Sequence, residues 1–194
     1  ARVIVLSRVD CRVINACTAC SRYDWGEFHK LRAGTDDTED SHEVVRLSLV
    51  EFGQECSVDV CVVALGKIGL PLAVQFARSG HQVVGVDIDE RTVASVSAGE
   101  PPFPGEADLE EYLKEVIGDG SLRVTTDTTG AVAESDVVVV VVPLIVDADA
   151  RPNFGPLDGA TQAIGSGLRP GTLVSYETTI PVHTTRDRFT AALE

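Results

Sequence analysis

Positions 137–142 are six consecutive valines, closed by Pro143. β-branched side chains lose rotamer freedom in a helix and pack well on a pleated surface, so the run reads as a strand. Six residues is strand length, far short of the roughly 20 apolar residues that cross a bilayer. Successive residues of a strand point to opposite sides, so a strand made only of valine is apolar on both faces and needs cover on both. A parallel sheet between two layers of helices meets that need; a half-exposed antiparallel sheet does not.

The rest of the chain from residue 58 agrees. Residues 58–63 are apolar except for Asp59 and predict a first strand. Apolar residues at 68, 70, 72, 73, 76 and 77 then follow helical spacing, over a helix of residues 68–79 that Gly80 ends. Residues 82–86 predict a second strand closed by Asp87, and 89–97 a short helix capped by Asp89. Pro101, Pro102 and Pro104 mark a loop. Residues 107–117 predict an amphipathic helix, 122–125 a third strand, 128–134 a short helix and 137–142 the fourth strand. A long irregular loop, 143–156, leads to a helix at 157–168, a fifth strand at 172–177 and a last helix at 184–193. Strands alternating with helices, joined by right-handed crossovers, predict an α/β fold: a doubly wound parallel Rossmann sheet in the order 3-2-1-4-5. Nucleotide is expected at the carboxyl ends of its strands.

Residues 1–55 show no sustained period of 2 or 3.6. They are expected to be an irregular, poorly structured or unrelated amino-terminal extension to a domain at 56–194. Within them, residues 2–9 suggest a short strand and 42–52 a short helix. The stretch 34–41, with four acidic and no apolar residues, suggests a loop. The chain has no methionine and opens on Ala1, so it is expected to lack its initiator.

The formal charge of the 194 residues is −14, a field that repels nucleic-acid phosphates; no nucleic-acid partner is expected. Only Lys30, Lys67 and Lys114 are lysines among sixteen basic residues, a composition suited to high salt. No segment has the length and apolarity of a membrane span. Five cysteines, at 11, 17, 20, 56 and 61, without a secretion signal, suggest reduced thiols and a cytoplasmic protein. Cys17 and Cys20 have no second C-x-x-C to complete a metal site, and no metal is expected. Cys61 is expected in the core of the first strand. His29, His42 and His81 lack ligand spacing and are expected to be solvated or capping. Glu106, Asp108, Glu110 and Glu111 read as a solvated helix face and helix-start charge.

The sharpest local signal is Ala64-Leu65-Gly66-Lys67-Ile68-Gly69, set directly between the first strand and the first helix. A dinucleotide turn of the form G-x-G-x-x-G belongs there. Gly66 would let the backbone approach a pyrophosphate, and Gly69 would let the helix pack closely on the strand. The helix amino terminus offers unpaired amides and a positive dipole end. Ala64 replaces the first glycine and is expected to cost about 1 kcal/mol if the turn needs a positive φ. Asp87 ends the second strand, where a carboxylate accepts the adenosine ribose hydroxyls and repels a 2′-phosphate, favouring NAD over NADP.

Four blocks, in order between residues 63 and 185, resemble the UDP-glucose/GDP-mannose dehydrogenase family. The turn from Val63 to Gly69, followed by Leu70-Pro71, is similar to the family's opening. Gly85-Val86-Asp87-Ile88-Asp89 with Gly99-Glu100-Pro101-Pro102 resembles its second strand and the loop beyond. Val141-Val142-Pro143 looks like the end of its fourth strand. Tyr176-Glu177-Thr178-Thr179-Ile180-Pro181-Val182-His183-Thr184-Thr185 resembles its Ser/Thr-Thr-x-Pro-x-Gly-Thr-Thr block. The resemblance implies NAD as cofactor and two-step oxidation of a nucleotide sugar's C6 alcohol to a carboxylate, through a cysteine thiolate. It implies a nucleotide-sugar substrate bound mostly by other domains, and a homodimer for the full-length form. Thr179 would lie near the reacting centre and Pro143 beside the nicotinamide ribose. No cysteine lies beyond residue 61, so the nucleophile's place is unfilled; these residues are expected to bind NAD and not to turn over. The alternative is an inactive, stand-alone dinucleotide-binding protein. His183 stands where the family has glycine and is expected to perturb that turn.

Overall fold

The computed structural model describes residues 57–193. The expectations placed on residues 1–55, and those on Cys56, lie outside the described residues.

Five strands form one parallel sheet: β1 (Asp59–Val63), β2 (Gln82–Val86), β3 (Leu122–Thr125), β4 (Val137–Val140) and β7 (Leu173–Tyr176). Their order is β3-β2-β1-β4-β7, the expected doubly wound arrangement, with β7 as the fifth strand foreseen. Between them run α1 (Gly69–Arg78), α2 (Glu90–Ser97), α3 (Leu109–Gly118), α4 (Thr128–Ala133) and α5 (Gly155–Gly167). The last segment is a π-helical turn, Thr185–Thr190, that runs into the helical residues Ala191–Leu193.

The valine run is shorter as a strand than the sequence suggests. Val140 pairs with Val63 on one side and Tyr176 on the other, and both partner strands end there. Val141 still donates its amide to the Val63 carbonyl at 3.0 Å, but beyond it no ladder remains to extend. The loop after Pro143 is not wholly irregular. It holds a two-stranded antiparallel hairpin, β5 (Ile145–Val146) with β6 (Pro152–Asn153). Helix α5 starts two residues earlier than predicted, because the Asn153 side chain accepts the Gly155 amide and Pro156 is tolerated in a first turn.

Both faces of the sheet are covered, as strands apolar on both sides require. On one face Cys61, Val63, Val84, Val86, Val138, Val140, Val174 and Tyr176 pack with residues of α4, α5 and the terminal helix in one buried cluster. On the other, α1 packs on β1 and β2 and against α3. Among the described residues no helix is long and apolar enough to cross a membrane.

His81 corrects an expectation. Rather than solvated or capping, it is 2% exposed, its ring set edge-on to Phe76 at 6.4 Å. Among the described residues neither ring nitrogen has a hydrogen-bond partner. The chain reverses at Gly80 to enter β2, and that reversal tucks the imidazole under the end of α1. Burial holds its pKa below the ordinary 6.5. The folded chain therefore refuses a proton that the unfolded chain accepts, so stability is lost as pH falls through and below that ordinary value. His81→Leu is expected to raise stability at neutral pH by about 1–3 kcal/mol, by removing two unsatisfied buried nitrogens. It is also expected to flatten the acid limb of a urea-denaturation series. An unchanged slope would locate that sensitivity elsewhere.

Candidate functional site

The site is built at the carboxyl edge of the sheet, from the turns that leave β1, β2, β4 and β7. The turn after β1 is held on several sides. Ala64 donates its amide to the Val86 carbonyl at 2.8 Å, joining the turn to β2. Ala64 has φ +80°, the positive value that makes an alanine strained there. Leu65 is fully buried, and its side chain lies over Gly85 of β2: a Cβ built on Gly85 would fall 2.9 Å from Leu65 Cδ2. The α-carbon of Gly69 presses on the same turn, where an added Cβ would lie 1.8 Å from the Ala64 oxygen.

Gly66 is different. Nothing lies within 4 Å of where its Cβ would stand, and its φ is not among the positive ones. Neither strain nor crowding from the protein calls for glycine at 66; what the missing side chain leaves is open space beside the backbone. That space adjoins the start of α1. The helix's first backbone bonds are Leu70 N–H to the Gly66 oxygen and Leu72 N–H to the Ile68 oxygen. Among the described residues, no acceptor takes the amides of Gly66, Lys67 or Ile68. No acidic side chain sits in the first turn of α1, and Lys67 is exposed beside it. Free amides, a helix's positive end and an empty approach together fit an anion.

Asp87 follows β2 and is half-buried. One carboxylate oxygen accepts the Leu65 amide at 2.8 Å, and the other accepts the Asp89 amide at 3.0 Å. The carboxylate therefore stands at the turn itself. Asp89 is the helix cap that the sequence suggested, accepting the Arg91 amide at 2.9 Å. Pro143 and Thr179 are exposed in the loops that leave the adjacent strands β4 and β7. His183 has φ +69°, the conformation that a glycine would take without strain.

Two features escaped the sequence reading. Glu177, given no role of its own there, accepts the hydroxyl of buried Ser175 at 2.7 Å and donates its amide to the Val140 carbonyl. A carboxylate thus stands two residues before Thr179; the period-2 alternation of Ser175 and Glu177 was the available signal. The second feature is apolar. The large hydrophobic side chains left exposed among the described residues are Ile68, Ile88, Ile145, Val146 and Val182. Every one lies in a loop leaving the carboxyl edge. Scattered exposure is ordinary; here it is confined to the rim that carries the glycine turn and Asp87.

Cys61 sits at the opposite extreme. It is fully buried in β1, and burial pushes its thiol up to about 12, an environment that disfavours the thiolate.

Residues 58–194 match the model described as the UDP-glucose/GDP-mannose dehydrogenase family, NAD binding domain. The chain belongs to this family. Its NAD-binding domain is the part matched, and NAD is the cofactor of that domain. The UDP-N-acetyl-D-mannosamine dehydrogenase of Escherichia coli strain K12 is 35% identical over 126 residues, covering 65% of this chain and 29% of that protein. The enzyme of the same name from Campylobacter jejuni is 37% identical over 127 residues, 65% of this chain and 30% of that protein. The UDP-glucose dehydrogenase of Pyrobaculum islandicum superposes with a TM-score of 0.68 at 31% identity, covering 75% of this chain and 34% of that one. The chain thus spans about three tenths of the length of the curated relatives it matches.

Proposed function

We propose that residues 57–193 form the NAD-binding portion of a nucleotide-sugar dehydrogenase that oxidises the C6 alcohol of a UDP-sugar, of the UDP-glucose or UDP-N-acetylmannosamine type. The observation that carries this reading is the open face of Gly66 beside free amides, with the Asp87 carboxylate at the same turn. Alcohol to carboxylate is a four-electron oxidation, and NAD supplies the hydride acceptor in each of two steps. The protein's part is to bind and orient. The amides of Gly66, Lys67 and Ile68 take the pyrophosphate, which a side chain at 66 would displace; Ala64, Leu65 and Gly69 shape that turn. Asp87 takes the adenosine ribose hydroxyls through the lone pairs its two amide partners leave free. Pro143 borders the nicotinamide ribose, and Thr179 stands by the reacting centre as an auxiliary group that orients water or substrate. The nucleotide sugar is held mainly by parts of the enzyme outside these residues, and the full-length form is a homodimer.

These 194 residues by themselves bind cofactor without turning over. The family's thiolate chemistry needs an accessible low-pKa cysteine; Cys61 is buried with its thiol at about 12, and no cysteine follows it. Calorimetric titration is expected to show saturable NAD binding, with NADP weaker by roughly tenfold or more because its 2′-phosphate meets Asp87. Incubation with NAD and UDP-sugars is expected to give no steady rise in reduced cofactor. Absent NAD binding would sink the cofactor site, and steady turnover would sink the claim of inactivity.

A further inference from the structure

We infer that Asp87 is a positioning residue for the phosphate-binding turn: its carboxylate clasps the Leu65 amide and so holds Ala64 at positive φ. An alanine left alone abandons that conformation. At φ +80° Ala64 needs restraint, and its own amide bond to Val86 fixes only one end of the turn. The other end is Leu65. Its side chain is locked into the space over Gly85, and its amide points at Asp87 Oδ2, 2.8 Å away. The carboxylate is itself fixed, since Oδ1 accepts the Asp89 amide at 3.0 Å. Two positions of one strand and its exit, 85 and 87, thus grip the same residue, one by shape and one by charge. Each carboxylate oxygen has a further lone pair, so clasping the turn and binding a ribose do not compete. The ribose and pyrophosphate contacts rest on the proposed function; the clasp on the Leu65 amide does not.

The test uses the whole 194-residue chain, with two readouts. Hydrogen exchange of the Leu65 amide, followed by NMR without ligand, reads the clasp directly. Calorimetry with inorganic pyrophosphate, which has no ribose, reads the turn's competence. D87A is expected to speed Leu65 exchange at least tenfold, and to weaken pyrophosphate by roughly tenfold, the loss of one charge-assisted hydrogen bond. Coulomb's law alone predicts the opposite for pyrophosphate, because a negative charge has been removed. D87N keeps one acceptor oxygen but sets an NH2 against the other backbone amide, so both readouts are expected to fall between wild type and D87A. In A64G/D87A, glycine adopts the positive φ unaided, so pyrophosphate affinity returns while NAD affinity does not. Unchanged Leu65 exchange and pyrophosphate affinity in D87A, with only NAD weakened, would leave Asp87 a ribose ligand and overturn the clasp. Should D87A fail to fold, A64G/D87A is expected to fold, and failure of both also overturns it. A wild-type chain that binds no NAD, yet whose Leu65 exchange responds to D87A, removes the proposed function and keeps the clasp.

Discussion

Gly69→Ala is expected to lower stability by about 3 kcal/mol or more and to abolish NAD binding, although it adds a single methyl group. The new carbon would stand 1.8 Å from the Ala64 carbonyl oxygen and 3.0 Å from its carbon. Those atoms are backbone and cannot rotate aside. They belong to a turn tied to β2 through Val86, Asp87 and Gly85, so α1 has to move away from β1 instead. The informative control lies three residues earlier. Gly66→Ala meets nothing within 4 Å and has no positive φ to strain, so its unfolding free energy from urea denaturation is expected to stay within about 0.5 kcal/mol of wild type. Its NAD affinity is nevertheless expected to fall, because the methyl group occupies the approach to the amides. One glycine would then be required by the fold and the other by the ligand. Equal stability losses at 66 and 69 would erase that distinction.

Phe189→Ala is expected to cost about 3–5 kcal/mol. Phe189 is 1% exposed, stacked on Tyr176 with ring centroids 4.7 Å apart and planes within 8°. Phe154 meets it edge-on at 6.4 Å, so one side chain ties the terminal helix to β7 and to the entry of α5. Truncation leaves a cavity against the edge of the sheet, and denaturant unfolding with amide exchange across residues 185–193 reads the loss. A cost below about 1 kcal/mol would mean that the terminal helix does not depend on this stack. Arg188, placed over the Phe154 ring at 4.5 Å and paired with Asp158, is exposed and adds little by comparison.

The element order was legible because burial leaves a periodic trace. All-valine and near-valine strands can sit only in a covered sheet, and the 3.6-residue spacing after residue 68 marks the helix that covers it. The ends of elements were less legible. Val141 and Val142 look like strand residues, and only the end of their neighbours removes them from the ladder. The hairpin of β5 and β6 escaped because a pairing of two residues with two leaves almost no periodic signal. His81 escaped for a related reason: a lone imidazole carries no pattern, and its burial is set by where the chain folds back over Phe76.

For the site, sequence spacing placed a glycine-bearing turn between a strand and a helix and a carboxylate after the next strand. The dinucleotide-turn pattern gave Ala64 as a candidate strained position, and the family resemblance gave His183, each standing where a glycine is usual. What the sequence left open was the use of each residue. Whether 66 and 69 lack side chains for a ligand or for packing depends on how the turn folds back on Ala64, and whether Asp87 faces the turn depends on a contact 22 residues apart. By itself the amino-acid order determined the alternation of strands and helices, hence a parallel sheet, because local periodicity is all that a covered strand requires. The tertiary structure alone decided that residues 65, 85 and 87 meet, because that contact exists only once β1 and β2 lie side by side in register.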